Sequence, residues 1–218
     1  MTRRIDLEAA DKRLTSYVNR ILSRAAARAD GELACRPGCA ECCAGPFPIS
    51  QVDALRLRRG LAELAARDPL RAARVLRRAR EGAALLEADL PADERSRVIS
   101  SDDASSDAFF LRHEALLCPA LDSESGRCEL YESRPISCRS FGPPVVIEGV
   151  PLPPCRLCFT GASARRIDDC RVEVDCADLE APMLDFLESR DGLAGETLVA
   201  FALAGEASSA PTDRRLVR

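Results

Sequence analysis

Cys35-Arg36-Pro37-Gly38-Cys39-Ala40-Glu41-Cys42-Cys43-Ala44-Gly45-Pro46 packs four cysteines into nine residues and threads them with proline and glycine. Proline removes a backbone donor and glycine frees φ, so this stretch is a turn-rich loop rather than a helix or strand. Such a loop folds back on itself and lets several sulfurs converge on one centre, at ~2.3 Å each for zinc. The density of thiols is far above chance and points to metal. Seven further cysteines follow. Cys118, Cys128 and Cys138 are spaced by nine intervening residues, Cys155-x2-Cys158 forms a close pair, and Cys170 and Cys176 lie beyond.

The rest of the composition narrows the chemistry. His113 is the single histidine among 218 residues, so any site here is all-thiolate or thiolate plus carboxylate. Sulfur-only tetrahedral coordination suits zinc or an iron–sulfur cluster. The adjacent pair Cys42-Cys43 is informative, because neighbouring side chains diverge. Either one thiol serves a second metal, or the centre is polynuclear, or one thiol is spare. A polynuclear centre favours iron–sulfur over zinc. A clamp joining residues 35–43 to 118–158 would close a long insert, and structural zinc is worth roughly 10–16 kcal/mol apparent in small peptides.

Compartment and partners follow from what surrounds the thiols. No apolar run reaches the ~18 residues of a membrane span. Met1-Thr2-Arg3-Arg4-Ile5-Asp6 is not followed by an apolar stretch, so no secretory signal is read there. The expectation is a cytoplasmic protein with reduced thiols, which argues for metal over a disulfide framework. The net charge is −4, which excludes a uniformly basic nucleic-acid binder. Residues 56–80 carry nine Arg against Glu63 and Asp68, without aromatic platforms. They are expected to face solvent or pair with acidic segments of the same fold rather than with nucleic acid. No protein partner is legible.

Aromatics are 4% of the chain, so the core is aliphatic and helices are favoured. Ile5, Leu7, Ala10, Leu14, Val18, Ile21 and Ala25 recur at helical spacing and predict a helix over 4–29, stopped near Gly31. Ser50-Gln51-Val52-Asp53 reads as a capping box opening a helix over 51–66, and Asp68-Pro69 opens another over 69–88. Residues 100–107 read as a polar loop, and Phe109-Phe110-Leu111 and Glu129-Leu130-Tyr131 as short strands. Pro135 starts a short helix carrying Cys138. Residues 142–156 are expected to be irregular, with helices over 177–189 and 195–204. The fold class predicted is mainly α with a small irregular, two-stranded, cysteine-rich metal core. One domain is expected over 1–205, with the cysteine core at 35–160, helical flanks at 1–34 and 161–205, and a disordered tail at 206–218.

Arg134 and Arg139 stand beside the thiols and are candidates to hydrogen-bond sulfur and offset its charge, with Glu132 pairing one of them. Glu41 and Glu114 are expected at the surface. Tyr131, Phe141, Phe109 and Phe110 are expected as core against the metal site, and His113 as structural.

Cys118-Pro-Ala-Leu followed by Gly126-Arg-Cys128-Glu-Leu-Tyr131-Glu132-Ser-Arg134-Pro135-Ile-Ser-Cys138-Arg139-Ser-Phe141, downstream of the four-cysteine loop, resembles the YkgJ-type cysteine-cluster family. That family is described as a zinc- or iron-chelating domain, and the resemblance covers about residues 35–160. It implies metal ligands at Cys35, Cys39, Cys42, Cys43, Cys118, Cys128, Cys138 and one later cysteine, here Cys155. Cys158, Cys170 and Cys176 are extra thiols, and Cys158 competes with Cys155 for the eighth place. A flagellin lysine methylase is associated with this cysteine pattern, but no reaction follows from the resemblance.

The leading reading is a metal-binding protein holding zinc or an iron–sulfur cluster. The alternatives are an iron–sulfur-dependent, protein-modifying enzyme and a thiol redox sensor. Cys35-x3-Cys39-x2-Cys42 matches radical-SAM spacing, yet Glu41 replaces the usual aromatic and the chain lacks a barrel's alternating strands and helices. No phosphate loop and no Ser-His-Asp set is present. Replacing Cys39 or Cys138 with Ser is expected to lower bound metal, by elemental analysis, and melting temperature together. A variant that kept both unchanged would remove that residue from the ligand set.

Overall fold

The computed structural model describes residues 5–90, 92–93, 98–99, 103–147 and 149–205. Helix α1 (Leu7–Ala29) starts where the Asp6 carboxylate accepts the Ala9 amide at 3.0 Å, and ends at Asp30 in the left-handed conformation. Its Leu14, Val18, Ile21 and Ala25 stripe is buried. After the cysteine loop, strand β1 (Pro48–Ser50) leads directly into α2 (Gln51–Arg67). The Ser50 hydroxyl caps α2 by accepting the Asp53 amide at 3.2 Å. Asp68 caps α3 (Pro69–Glu87), with Pro69 in the first turn where no amide is needed.

Short elements connect the helices. Strands β2 (Ala92–Asp93) and β3 (Val98–Ile99) pair antiparallel, and α4 spans Asp103–Arg112. Strands β4 (Leu121–Asp122) and β5 (Arg127–Cys128) make a hairpin with Leu121 opposite Cys128. A 3-10 turn at Tyr131–Ser133 precedes α5 (Ile136–Ser140). Strand β6 (Val145–Ile147) pairs antiparallel with β7 (Val150–Leu152) and parallel with β8 (Val172–Glu173), which follows α6 (Ala164–Cys170). Helix α7 (Ala177–Asp191) ends at Gly192 in the left-handed conformation. Strand β9 (Glu196–Leu198) returns to pair with β1 and runs into α8 (Val199–Ala204).

The core is divided. One apolar cluster joins α2, α3 and α8 through Leu57, Leu64, Val75, Ala79 and Leu203, with Leu130, Cys118 and Cys128 packed on it. A second joins α1, α7 and the small sheet through Leu14, Val18, Val145, Met183 and Leu187. A third gathers Leu86, Phe109, Leu198 and Phe201. A fourth seats Cys158, Phe159 and Cys170 against Ala29 at the end of α1.

The predicted class holds: mainly helical, with a small two-stranded element inside the cysteine region. Several local expectations are corrected. Residues 103–112 form a helix, so Phe109–Leu111 is not a strand and residues 103–107 are not loop, while residues 100–102 lie outside the described set. The strand near Glu129 is Arg127–Cys128, displaced by the turn at Asp122–Gly126. Residues 145–152 form a hairpin, because β-branched Val145, Val146 and Ile147 outweigh the surrounding prolines. Residues 196–198 are a strand preceding α8, captured by β1. The expected tail at 206–218 lies outside the described residues. No helix among the described residues is long and apolar enough to cross a membrane.

Gly60 marks the tightest packing of a helix on the cysteine region. A Cβ at Gly60 in α2 would run into the Cβ and Oγ of Ser133, in the turn between Cys128 and Cys138. Gly60→Ala is expected to destabilise the fold by about 1–3 kcal/mol through overpacking, outweighing the ~1 kcal/mol gain in helix propensity. Adding Ser133→Gly should recover most of that loss in urea denaturation. Equal stability of Gly60→Ala and wild type would show that the contact is slack.

Candidate metal centre

The cysteine loop is seamed to the middle of the chain by backbone hydrogen bonds. Cys39 N–H donates to Arg36 O at 3.0 Å and Cys43 N–H to Ala40 O at 2.9 Å, which coils the loop. Cys118 N–H then donates to Cys43 O, and Gly45 N–H to Leu116 O, each at 2.8 Å. Glu129 N–H donates to Ala120 O at 2.7 Å and brings the β5 end of the hairpin back beside Cys118. Gly126, at φ +67°, is a close approach: a Cβ there would stand 2.8 Å from Gly38 O. That conformation and that gap both require glycine.

Buried charge sets the position of the next sulfurs. Asp53 Oδ2 accepts the Ile136 amide at 3.0 Å, capping the short helix that carries Cys138. The other Asp53 oxygen meets the Arg56 guanidinium, whose Nε also donates to Asp11 Oδ1 at 2.9 Å. Arg59 reaches Asp11 Oδ2 from a half-buried position. Burial pushes the Asp53 carboxyl up to about 6 even with Arg56 beside it. Asp53 therefore does not complete a reciprocal capping box: it is only 3% exposed and faces the site. Next to Cys128, the buried Glu129 carboxylate collects Arg71 at 3.2 Å, Arg74 at 4.0 Å and Arg78. This bears out the expectation that the Arg-rich stretch pairs within the fold.

These scaffolds place the sulfurs in two neighbourhoods. Cys42, Cys43, Cys118, Cys128 and Cys138 form the first. Cys42 hydrogen-bonds Cys43, and with burial this raises its thiol. Burial pushes Cys118 and Cys138 up to about 12, with Cys42 and Cys128 adding repulsion to both. The Arg134 guanidinium acts the other way on Cys42, Cys128 and Cys138. The Ala120 amide beside Cys118 and the Leu130 amide beside Cys128, each from two residues on, favour the ionised sulfur.

Cys35, Cys155 and Cys158 form the second, with Cys39 between the two: it lines the same cavity as Cys42, Cys43, Cys118, Cys128 and Cys138 and also bears on Cys35. Cys35 is exposed as a residue, yet desolvation of its sulfur, then the charge and hydrogen bond of Cys158, push its thiol up to about 12. Cys39 and Cys155 add to that repulsion. The Leu157 amide beside Cys155 favours its ionised sulfur, and the Ala34 amide donates to Cys158 Sγ at 3.3 Å. Cys158 N–H donates to Cys155 O at 2.8 Å, closing the turn between them.

Other predicted residues fall elsewhere. Cys170 is fully buried and its thiol donates to Arg28 O at 3.5 Å, as a core thiol does. Desolvation, then the nearby carboxylates of Glu180 and Asp175, push the Cys176 thiol up to about 11. The guanidinium of Arg139 donates to Arg134 O, to Asn19 Oδ1 and to the Glu132 carbonyl, so it braces the loop through oxygen. Glu132 thus contributes its backbone. Arg134 lies 3.7 Å over the Tyr131 ring. Tyr131 is 54% and Phe141 39% exposed, so neither is core, whereas Phe109 is buried among helices away from the thiols. His113 packs on Phe109 and faces Asp89 at 3.3 Å, a structural role. Glu41 pairs with Arg156. Sequence reading missed Asp11 and Asp53, although each is a charge on an otherwise apolar helix face.

A cavity of about 320 Å³ opens beside the first neighbourhood, walled by thiols on one side and by Leu57, Leu86, Leu198 and Val199 on the other. All eleven cysteines are free thiols. As the side chains are placed, no three or more Cys, His, Asp or Glu among the described residues form a set that could hold a metal ion. The donor chemistry nevertheless fits one: six free thiols, Cys39, Cys42, Cys43, Cys118, Cys128 and Cys138, line one cavity, and the thiolate is the form that binds metal.

Fold and site together define a helical protein with a cysteine cluster gathered from distant loops. Residues 34–147 match the family CxxCxxCC, "Putative zinc- or iron-chelating domain", and the chain belongs to that family. No curated protein and no solved structure matches the chain.

Arg56→Ala is expected to cost about 3–5 kcal/mol at pH 7, because it strands the buried Asp53 carboxylate. Asp53 holds its proton more tightly folded than unfolded, so its contribution to stability is full below pH ~4 and lost as pH rises through ~6. The cost of Arg56→Ala should therefore shrink at pH 5, where the stranded carboxyl is protonated. Urea denaturation at both pH values checks this, and an equal cost at both would refute it.

Proposed function

We propose that the protein binds zinc or an iron–sulfur cluster through thiolates of the loop at 35–43 and of Cys118, Cys128 and Cys138, with Cys155 contributed from downstream. The observation that carries this reading is the backbone stitching of the cysteine loop to the next cysteine segment, Cys118 N–H to Cys43 O and Gly45 N–H to Leu116 O, which gathers Cys39, Cys42, Cys43, Cys118, Cys128 and Cys138 around one cavity. Family membership supports metal binding in general. A bound cation supplies the positive charge that lets the gathered thiols ionise side by side.

The chain's own residues do the rest. Arg134 faces three of the thiols and offsets part of their charge. Asp53 and Arg56 fix the helix that carries Cys138, and Glu129 fixes Cys128 against α3. The first neighbourhood offers five thiols including an adjacent pair, more than one tetrahedral ion takes, which favours a polynuclear iron–sulfur centre there. The apolar cavity beside it favours, as the second reading, an iron–sulfur-dependent enzyme acting on a small or side-chain-sized substrate. A thiol redox sensor has less support, since the Cys42 thiol is raised rather than activated.

Anaerobically purified protein is expected to carry zinc or iron in elemental analysis. Broad visible absorption with sulfide present would identify the cluster, and colourless zinc-containing protein the other branch. Chelation should lower the melting temperature. Protein that carries neither metal, and takes up neither on reconstitution, would overturn the reading.

A further inference from the structure

We propose that the cavity beside the thiols binds a small organic anion, an apolar body carrying one carboxylate or phosphate head, with Arg36, Arg127 and Arg134 holding the head at the rim. None of these three residues is a thiol, so the site goes beyond the metal-binding reading and does not depend on it.

The cavity lining is one-sided in charge. It holds three arginines and no Asp or Glu, in a chain with 35 acidic residues against 31 basic ones. Arginines elsewhere, such as Arg56, Arg59, Arg71 and Arg78, are paired with carboxylates. Those at the cavity are not. Among the described residues the Arg127 guanidinium makes no hydrogen bond or ion pair, and Arg36 donates only to Ala34 O, at 3.5 Å. Arg134 donates through Nε to Tyr131 O at 3.1 Å and lies 3.7 Å over the Tyr131 ring. Its two terminal nitrogens have no acceptor among the described residues.

Backbone contacts, not carboxylates, fix where these guanidiniums stand. The close approach of Gly126 to Gly38 sets the hairpin turn against the cysteine loop, and so brings Arg127 beside the segment that carries Arg36. Arg134 is held through its own carbonyl, which accepts Arg56 Nη1 at 3.2 Å and Arg139 Nε at 3.0 Å. A guanidinium with unused N–H donors takes a carboxylate or phosphate by two parallel bonds. Thiolates alone would call for cations at their own depth, whereas Arg36 and Arg127 are exposed at the rim. The inner wall has the opposite character. Leu57, Leu86 and Leu198 are buried there, and Leu117, 55% exposed, continues the apolar surface outward. At about 320 Å³ the cavity is at the small end of ligand sites, which run roughly 300–1,000 Å³. Apolar depth under a cationic rim is complementary to an amphiphilic anion.

The test is isothermal titration calorimetry on the full chain as purified, with metal content measured on the same sample. Octanoate and octyl phosphate are the anionic probes, and octylamine and 1-octanol the cationic and neutral controls of equal chain length. At least one anion is expected to bind more tightly than either control, by about tenfold or more. The tighter anion names the head. With that head, affinity should rise about two- to fourfold per methylene from butyl to octyl chains. Arg36→Gln and Arg127→Gln, both at exposed positions, should each weaken the anion about three- to tenfold and leave octanol unchanged. Equal binding of anions and octanol by wild type overturns the site, as does unchanged anion affinity in the double variant. Protein that contains metal but binds neither anion refutes this site alone. Protein that binds an anion but neither carries nor takes up metal refutes the metal-binding reading alone.

Discussion

Thiols repel one another once ionised and lose hydration once buried, so nothing intrinsic to cysteine gathers nine of them into two neighbourhoods. What holds them there is a seam of backbone hydrogen bonds between loops distant in sequence. Cys43 is bonded to Cys118, Gly45 to Leu116, Ala34 to the sulfur of Cys158, and Phe159 to Glu32. Each bond also satisfies an amide or carbonyl that a loop would otherwise leave orphaned. Glycine at 126 allows the closest of these approaches.

The seam needs a rigid backing, and buried charge provides it. Asp11, Arg56 and Asp53 link α1 to α2 and end on the amide that starts α5. Glu129 and the arginines of α3 do the same for the hairpin end. A buried ion pair is a poor source of net stability, because desolvation offsets most of the attraction. Its value here is positional. A carboxylate shared between a guanidinium and an amide tolerates little displacement, and the thiol three residues from Pro135 inherits that precision.

The helices were legible because their signals are local. The apolar stripe of α1, the Ser50 cap of α2 and the Asp68-Pro69 start of α3 all appear where periodicity and capping chemistry place them. Errors clustered where a neighbour decides the outcome. Phe109 and Phe110 favour strands on propensity, yet Phe109 packs into a helical cluster with Leu86 and Phe201. Glu196–Leu198 had no strand signal of its own and is one because β1 lies beside it. Asp53 looked like half of a capping box until Arg56 and Ile136 claimed both of its oxygens.

Sequence alone determined that this chain is mainly helical and that its chemistry resides in thiols, since periodicity, capping and cysteine density are written in adjacent residues. Which thiols keep company was decided only by the tertiary structure. Cys39 and Cys42 have two residues between them and line one cavity, yet after the turn at Glu41–Cys43 Cys42 bears on Cys118 and Cys138, while Cys39 also bears on Cys35 near the end of α1. Spacing fixes how far a sulfur can reach, but the packing of the loops on separate apolar clusters fixes where it goes.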